Sequence, residues 1–533
     1  MKKYNKLIIL IIFIILGTFM VPNVQAATDQ QYIRVGLESR FKDRSKITIK
    51  TKRIGMGYSV NNGFREEVDL VSNSGFSFSP AQGYYFSVQK VFKNYSQAKQ
   101  VVESLKELDV NAYPVILYRN TWNVYIGGST DKESVKVQLG KVTGRFGFTY
   151  SDIMKDNQYR ILVEGQGDCF LIDVDKYMAY PQFVSSTYNS SGVPLLDLES
   201  FQYRGRIEIG RYKSNSLKAV NIVNLEEYLY GVVPGEVSSS WPKEALKAQA
   251  VCARGYAILK AGFRSDSTVN KPYKIDDTTK SQVYKGYNVE TKATNQAVNE
   301  TKGETVTYNN KIISTYYSST SGGSTENVED VWSITSPYLR SVPDLYENEP
   351  ELKPWIVKLT KSEIYSKLLD RGMQVGSVLE VIPEIRTSSG RVYSLRIKGT
   401  KKNVVLQTEI IRTALSLYST KFKVIKYGDK PDTVVMQGSS GSERKQISNS
   451  CVIDGNYQVK KASQSLEQYI VLSEDNRTNF PRIVPKNNNT IYFAGQGYGH
   501  GVGMSQSGAK GMAEAGFTYK EILEHYFTGT KVR

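Results

Sequence analysis

Apolar residues run almost unbroken from Leu7 to Val21, behind Lys2, Lys3 and Lys6 and ahead of Val24-Gln25-Ala26. A run of about 15 apolar residues falls short of the ~18–20 that span a bilayer, and a small-residue cleavage site follows it. Residues 1–26 are therefore expected to be an export signal cut after Ala26, with an uncleaved anchor as the weaker alternative. Residues 27–80 mix short strand-like runs with Gly, Asn and Ser, and Asn73 to Pro80 reads as a linker. The pattern sharpens over 83–142. Tyr84 to Gln89 has strand composition, and Ala98, Val101, Val102, Leu105 and Leu108 mark one face of a helix from Ser96. Tyr113 to Tyr118 and Trp122 to Ile126 read as two strands about an Arg119-Asn120 turn, and a second helix starts at Asp131. The order is β-α-β-β-α. Residues 150–200 are a strand-rich connecting region that contains Cys169.

The clearest helix follows Trp241. Pro242 suits a first helical turn, where its missing N–H is not needed, and Glu244 favours the helix dipole. Leu246, Ala250, Ala253 and Ala257 form one apolar stripe, and Ala245, Cys252, Tyr256 and Leu259 a second, to about Lys260. A helix apolar on two faces is buried, so Cys252 is expected to be a core residue and not a nucleophile. Gln249 is polar within this pattern and either lies at an edge or faces a site. Near the end, Thr518 to Glu521 is a capping box opening the last helix.

Length and composition add limits. A chain of 533 residues suggests about two to four domains, and the element pattern makes the fold class α+β and multidomain. Two His and three Cys cannot furnish a His-rich zinc hydrolase site, a Cys-rich zinc site or a disulfide framework. No metal ligands and no cofactor are therefore expected. The formal charge of +17 falls to +14 once the three signal lysines are removed. The Lys and Arg residues are scattered, as on a solvated surface, and export argues against nucleic acid as a partner. Anionic cell-wall polymers or lipid head groups fit the compartment better.

Three constellations carry candidate chemistry. Glu236 sits after Pro234-Gly235 and before a Ser run, with Val nearby on both sides. A carboxyl on such a loop is either exposed or, in an apolar cleft, has a raised pKa suited to donating a proton. The run Ser318 to Asn327 places hydroxyls about Gly322-Gly323, which suits either sugar hydroxyls or a tight turn. Gly495 to Gly503 has glycine at every second position, around His500, and leads to Ser505-Gln506. It matches neither G-x-G-x-x-G, nor the P-loop, nor G-x-S-x-G, so nucleotide and α/β-hydrolase readings fail.

Residues 83–142 resemble the SPOR domain in Phe86-Ser87-Val88-Gln89, Tyr95-Ser96-Gln97-Ala98 and Trp122-Asn123-Val124-Tyr125-Ile126-Gly127. That resemblance implies binding to glycan strands stripped of stem peptides, over the sheet face. Residues 201–533 closely resemble the stage II sporulation protein D / LytB family. The words that carry it are Val233-Pro234-Gly235-Glu236, Trp241 to Val251, Ser319 to Asn327 and Gly499 to Ala509. The expected architecture is thus a small SPOR-like β-α-β-β-α module followed by a larger mixed α+β catalytic domain. The family implies an exported peptidoglycan lytic transglycosylase that leaves 1,6-anhydroMurNAc ends, with its catalytic glutamate at Glu236. Other members enhance a partner N-acetylmuramoyl-L-alanine amidase, which is the alternative function and would make a cell-wall amidase the partner. Some members carry a metal near the cleft, but here no Cys or His lies between Cys252 and Cys451.

Standard glycosidases use two carboxyl groups. Lytic cleavage needs no water nucleophile, so Glu236 can be both acid and base. Gln249, Ser319, Ser321, Gly322, Gly323, His500, Ser505 and Gln506 are the candidates for substrate binding.

Overall fold

The computed structural model describes residues 31–533 except 61–62, 120, 156, 176, 213–214, 264–270, 348–353, 428–432, 439–440, 447–450, 454–458, 462–467, 473–476, 482–484 and 486, and it describes no side chains over 428–484. The expected export signal lies outside the described residues. Among those residues no helix is long and apolar enough to cross a membrane. The helices are α1 (Glu38–Phe41), α2 (Tyr95–Lys106), α3 (Lys132–Val142), α4 (Leu225–Glu236), α5 (Lys243–Ala261), α6 (Lys292–Glu300), α7 (Lys361–Leu369), α8 (Glu409–Leu415), α9 (Gln506–Glu514) and α10 (Tyr519–Tyr526). The fold is α+β and multidomain.

Two large sheets share one core in the first half of the chain. A seven-stranded sheet runs in the order Ile275–Asp276, Tyr32–Gly36, Lys218–Asn224, Arg206–Gly210, Gln182–Ser185, Arg53–Val60, Gly63–Val71. A nine-stranded sheet runs Phe201–Tyr203, Leu196–Leu198, Ile47–Ile49, Phe76–Pro80, Ile161–Gly165, Cys169–Ile172, Ala112–Tyr118, Thr121–Ser129, Tyr84–Ser87. Phe78 of one sheet meets Phe183 of the other edge to face, 5.0 Å between centroids.

Asn73 to Pro80 is not a linker. Phe76 and Phe78 alternate with Ser77 and Ser79, and this period-two pattern buries both rings while the serines stay half-exposed. The serine content hid a strand. Nor do residues 150–200 merely connect: Ile161–Gly165, Cys169–Ile172 and Gln182–Ser185 are interior strands of the two sheets.

The β-α-β-β-α order holds over 84–142, with Tyr84–Ser87, Thr121–Ser129 and Ala112–Tyr118 adjacent in the sheet. The unit does not end at 142. Residues 149–154 lie against Tyr84–Gln89: Gln89 N donates to Thr149 O at 2.8 Å and Met154 N to Tyr85 O at 2.6 Å. On the far side, Val115 and Ile116 pair in parallel with Leu171 and Ile172. The face away from the helices is largely covered, since Tyr85, Val115, Tyr125, Leu171 and Ala81 are buried together. Arg160 lies over Tyr85 and Tyr125. Glycan bound over that sheet face would have to displace this layer. A fragment of residues 83–142 is therefore expected to show no cooperative unfolding, because it lacks the 149–154 segment bonded to Tyr84–Gln89 and leaves the Ala112–Tyr118 edge unpaired. Thermal melts followed by circular dichroism check this. A sharp transition for 83–142 would contradict it.

Residues 201–533 hold more than one core. The strand Lys218–Asn224 leads into α4, and α5 packs on α4, α6, α9 and α10. Ala248, Val251 and Cys252 of α5 join Val502, Met504, Met512 and Tyr526 in one cluster. Leu259, assigned to the second stripe of α5, is exposed. Glu244 does more than favour its own helix dipole: it accepts a hydrogen bond from Tyr519 N at 2.9 Å, capping α10. A separate cluster gathers Trp355, Ile364, Val381, Leu395, Ile411, Phe422 and Phe493. This unit is inserted between the Ser-Gly-Gly loop and the glycine-rich segment. Trp355 Nε1 ties it back by donating to Gly497 O at 2.9 Å.

Candidate active site

Glu236 closes α4. The helix starts at Asn224, whose side chain accepts from Glu226 N at 2.9 Å. The sequence reading placed Glu236 on a loop after a Pro-Gly turn, but the structure places it in the last helical turn. Pro234 lacks an N–H and leaves one carbonyl without its helical partner. Only two residues follow before Val237 turns extended, so one missing bond near the end is tolerated. Gly235 is required by close approach, because a Cβ there would overlap the Val283 carbonyl oxygen. This contact brings the Gln282-Val283 backbone against the helix end.

The Glu236 carboxyl is half-buried. Its Oε1 accepts from Val283 N at 2.7 Å, and the Tyr317 hydroxyl and the Gln506 side chain also hydrogen-bond to it. Burial raises its pKa above the ordinary carboxyl value, against the opposing pull of these bonds and of Lys285. Tyr317 is held in turn by Gln282, whose Nε2 donates to its hydroxyl at 3.1 Å and whose Oε1 accepts from Tyr228 at 3.2 Å.

Two segments nearly two hundred residues apart meet beside this carboxyl. Tyr317-Ser318 pairs in parallel with Met504-Ser505, which sets Gln506 next to Glu236. Gln506 Nε2 donates to Gln249 Oε1 at 3.3 Å. Gln249 is 1% exposed, and its Nε2 has no partner among the described residues. Of the two readings of Gln249, the exposed edge position is excluded: the side chain is buried and bonded to Gln506. Ser319 contributes its carbonyl, which accepts from Ser507 N at 3.0 Å.

Beyond Ser319 the chain turns through positive φ at Gly322 and Gly323, +76° and +97°. Three successive N–H groups then converge on the Glu347 carboxylate. Ser321 N bonds to Oε1, and Gly322 N and Gly323 N donate to Oε2 at 2.9 and 3.1 Å. Ser505 Oγ donates to Oε1 at 2.7 Å. This loop presents backbone amides to an anion, where its serines suggest hydroxyls for sugar. His500 stands apart from that role. Its Nδ1 accepts from Val502 N at 3.0 Å, and its ring packs on Trp332 with 4.9 Å between centroids. Burial and the neighbouring Arg412 and Arg391 lower its pKa to about 3, so it is neutral.

Sequence reasoning missed Tyr317, Gln282, the Val283 amide and Glu347. Gln282-Val283-Tyr284 follows a polar run and matches no motif. Glu347 lies in no motif. Cys252 is buried as expected, 3.8 Å from the Met504 sulfur. Among the described residues, no group of three or more His, Cys, Asp or Glu side chains could hold a metal ion.

A carboxyl with a raised pKa, ringed by amide and phenol donors, has the chemistry to give up and regain a proton. Comparison with known proteins bears on the chain as a whole. A family model described as stage II sporulation protein matches residues 213–308, and a model described as a domain of unknown function matches 355–441, within the inserted unit. An uncharacterized protein of Brachyspira hyodysenteriae is 31% identical over 343 residues, 63% of this chain and 73% of its own length. The stage II sporulation protein D of Bacillus subtilis is 28% identical over 329 residues, 59% of this chain and 76% of that protein. The amidase enhancer of Bacillus subtilis is 33% identical over 315 residues, 57% of this chain, and the match spans only 40% of that longer protein. The chain belongs to the stage II sporulation protein D family.

Proposed function

We propose that this protein is an exported lytic transglycosylase that cuts peptidoglycan glycan strands between N-acetylmuramic acid and N-acetylglucosamine. The observation that carries the reading is Glu236: a half-buried carboxyl whose pKa is raised, fixed by Val283 N, Tyr317 and Gln506. In its protonated form it donates to the glycosidic oxygen as the C1–O bond breaks. The resulting carboxylate then takes the proton of the muramic 6-hydroxyl as O6 bonds to C1. No water enters, and the carboxyl ends protonated as it began. One carboxyl serves both steps, which suits a site whose other facing groups are amides, a phenol and a lysine. The free Nε2 of Gln249 suits an acceptor on the sugar, such as an N-acetyl carbonyl.

Mass spectrometry of purified glycan strands after incubation tests this. The expected product carries a 1,6-anhydro end, one water lighter than the hydrolysis product. The amidase-enhancer relative supports a second reading, in which the chain binds the wall and stimulates a cell-wall amidase. Intact strands together with faster amidase turnover would select it.

A further inference from the structure

The Ser321–Gly323 loop holds one carboxylate with four donors, and that carboxylate is the chain's own. We infer that this loop, with the Ser505 hydroxyl, is an anion-binding subsite in which Glu347 is a tethered stand-in, so that a carboxylate-bearing sugar of the glycan must displace Glu347 to enter. The inference rests on the glycan reading above and deepens it.

Consecutive N–H groups in a turn through positive φ form a concavity with a preference for anions. Here the three amides of Ser321, Gly322 and Gly323 are joined by a side chain that is 1% exposed, Ser505. Ser505 has no freedom to turn away. Its oxygen also accepts from Gly508 N at 3.1 Å as the cap of α9, which leaves its hydroxyl proton for the anion. Behind the loop lies a buried guanidinium: Arg391 Nη2 donates to Ser321 O at 2.7 Å, aligning that peptide with its N–H outward. Lys421, anchored to Ser324 Oγ at 3.1 Å, adds positive charge at the rim.

The neighbouring acid is consistent with a place that holds a single negative charge. Asp344 is buried, accepts from the Tyr526 hydroxyl at 2.9 Å, and has its pKa raised by burial and by the Glu347 charge beside it. A second anion is thus disfavoured where the first is held. Glu347 itself remains half-exposed, and Leu345 beside it is 85% exposed. The occupant can leave without opening a core. Ser505 bonds the carboxylate in the subsite and its neighbour Gln506 bonds Glu236, so consecutive residues contact the subsite and the acid–base group.

Binding of N-acetylmuramic acid, which carries a carboxylate, and of N-acetylglucosamine, which does not, tests the inference by ligand-observed NMR titration. All proteins carry Glu236→Gln, so nothing turns over and the result is independent of whether the wild type cleaves glycan. Glu347→Ala is expected to tighten N-acetylmuramic acid by about tenfold, equivalent to ~1.4 kcal/mol, and to leave N-acetylglucosamine unchanged. Glu347→Gln should give a smaller gain in the same direction, because its amide fills the loop without charge. Equal N-acetylmuramic acid affinity with and without Glu347, or an equal gain for both sugars, would overturn the inference. If Glu347→Ala fails to fold, the isosteric Glu347→Gln decides by the same comparison. A lowered melting temperature with no gain in affinity would make Glu347 a structural pin.

Discussion

Glu236→Gln should fold, bind glycan and release almost no anhydro product. Glutamine keeps an oxygen to accept from Val283 N and can still bond Tyr317 and Gln506, but it can neither donate nor regain the catalytic proton. General acid–base groups contribute about 10²–10⁴-fold to rate, so turnover should fall by at least that range. Burial raises the Glu236 pKa in the folded state above its unfolded value of ~4.3. Such a group favours the folded state while protonated, and that advantage is lost as pH rises through the folded pKa. Above that pH the wild type holds a costly buried carboxylate and the Gln variant does not. The variant should therefore be no less stable at neutral pH, with the difference narrowing toward mild acid. For catalysis the acid form must be present, so wild-type turnover should decline as pH rises through the same pKa. Product release by mass spectrometry and thermal melts across pH measure both. Wild-type cleavage by Glu236→Gln would remove the residue from the mechanism.

What was legible in the sequence is what local pattern determines. The helix after Trp241 showed itself through apolar spacing and its acidic first turn. The last helix showed itself through the Thr518–Glu521 capping box, which forms as read. The β-α-β-β-α order came from strand composition and one amphipathic helix. What stayed hidden depends on distant pairings. Phe76 and Phe78 sit in a serine-rich stretch whose short period-two pattern reads as a linker until the partner strands are seen. Tyr317 reaches the site because a two-residue parallel ladder joins it to Met504. The Ser321–Gly323 loop shows hydroxyls in one-letter code, whereas its chemistry is that of backbone amides set by two positive φ angles. Glu347 has no neighbours in sequence that mark it, since its partners come from residues 321–323 and 505. Pro234-Gly235 misled for a related reason: it reads as a turn, yet packing against the Val283 backbone lets α4 run on to Glu236.

The second large effect is expected at Arg254, which holds the helix bearing Glu236 in place. Its side chain is wholly buried and makes a two-pronged pair with Glu226 at the start of α4: Nε to Oε1 at 2.9 Å and Nη2 to Oε2 at 2.7 Å. Nη1 also donates to Glu304 O at 3.1 Å and Nη2 to Val298 O at 3.3 Å, so one guanidinium on α5 joins α4 to the end of α6. Arg254→Met fills most of the volume but strands the Glu226 carboxylate, which keeps only Gly303 N, at 3.2 Å. Removing one partner of a buried pair costs about 3–5 kcal/mol, because the remaining charge is uncompensated, while replacing both can be nearly neutral. Arg254→Met should therefore shift the denaturation midpoint strongly, and Glu226→Gln combined with Arg254→Met should recover part of the loss. Arg53→Ala breaks an exposed pair with Asp69 and should leave the midpoint nearly unchanged. Because α4 carries Glu236 at its far end, the Met variant should also lose turnover at temperatures where it remains folded. Urea unfolding followed by circular dichroism, with the double variant closing the cycle, measures the coupling. An unshifted midpoint for Arg254→Met would show that the buried pair does not hold α4 to α5.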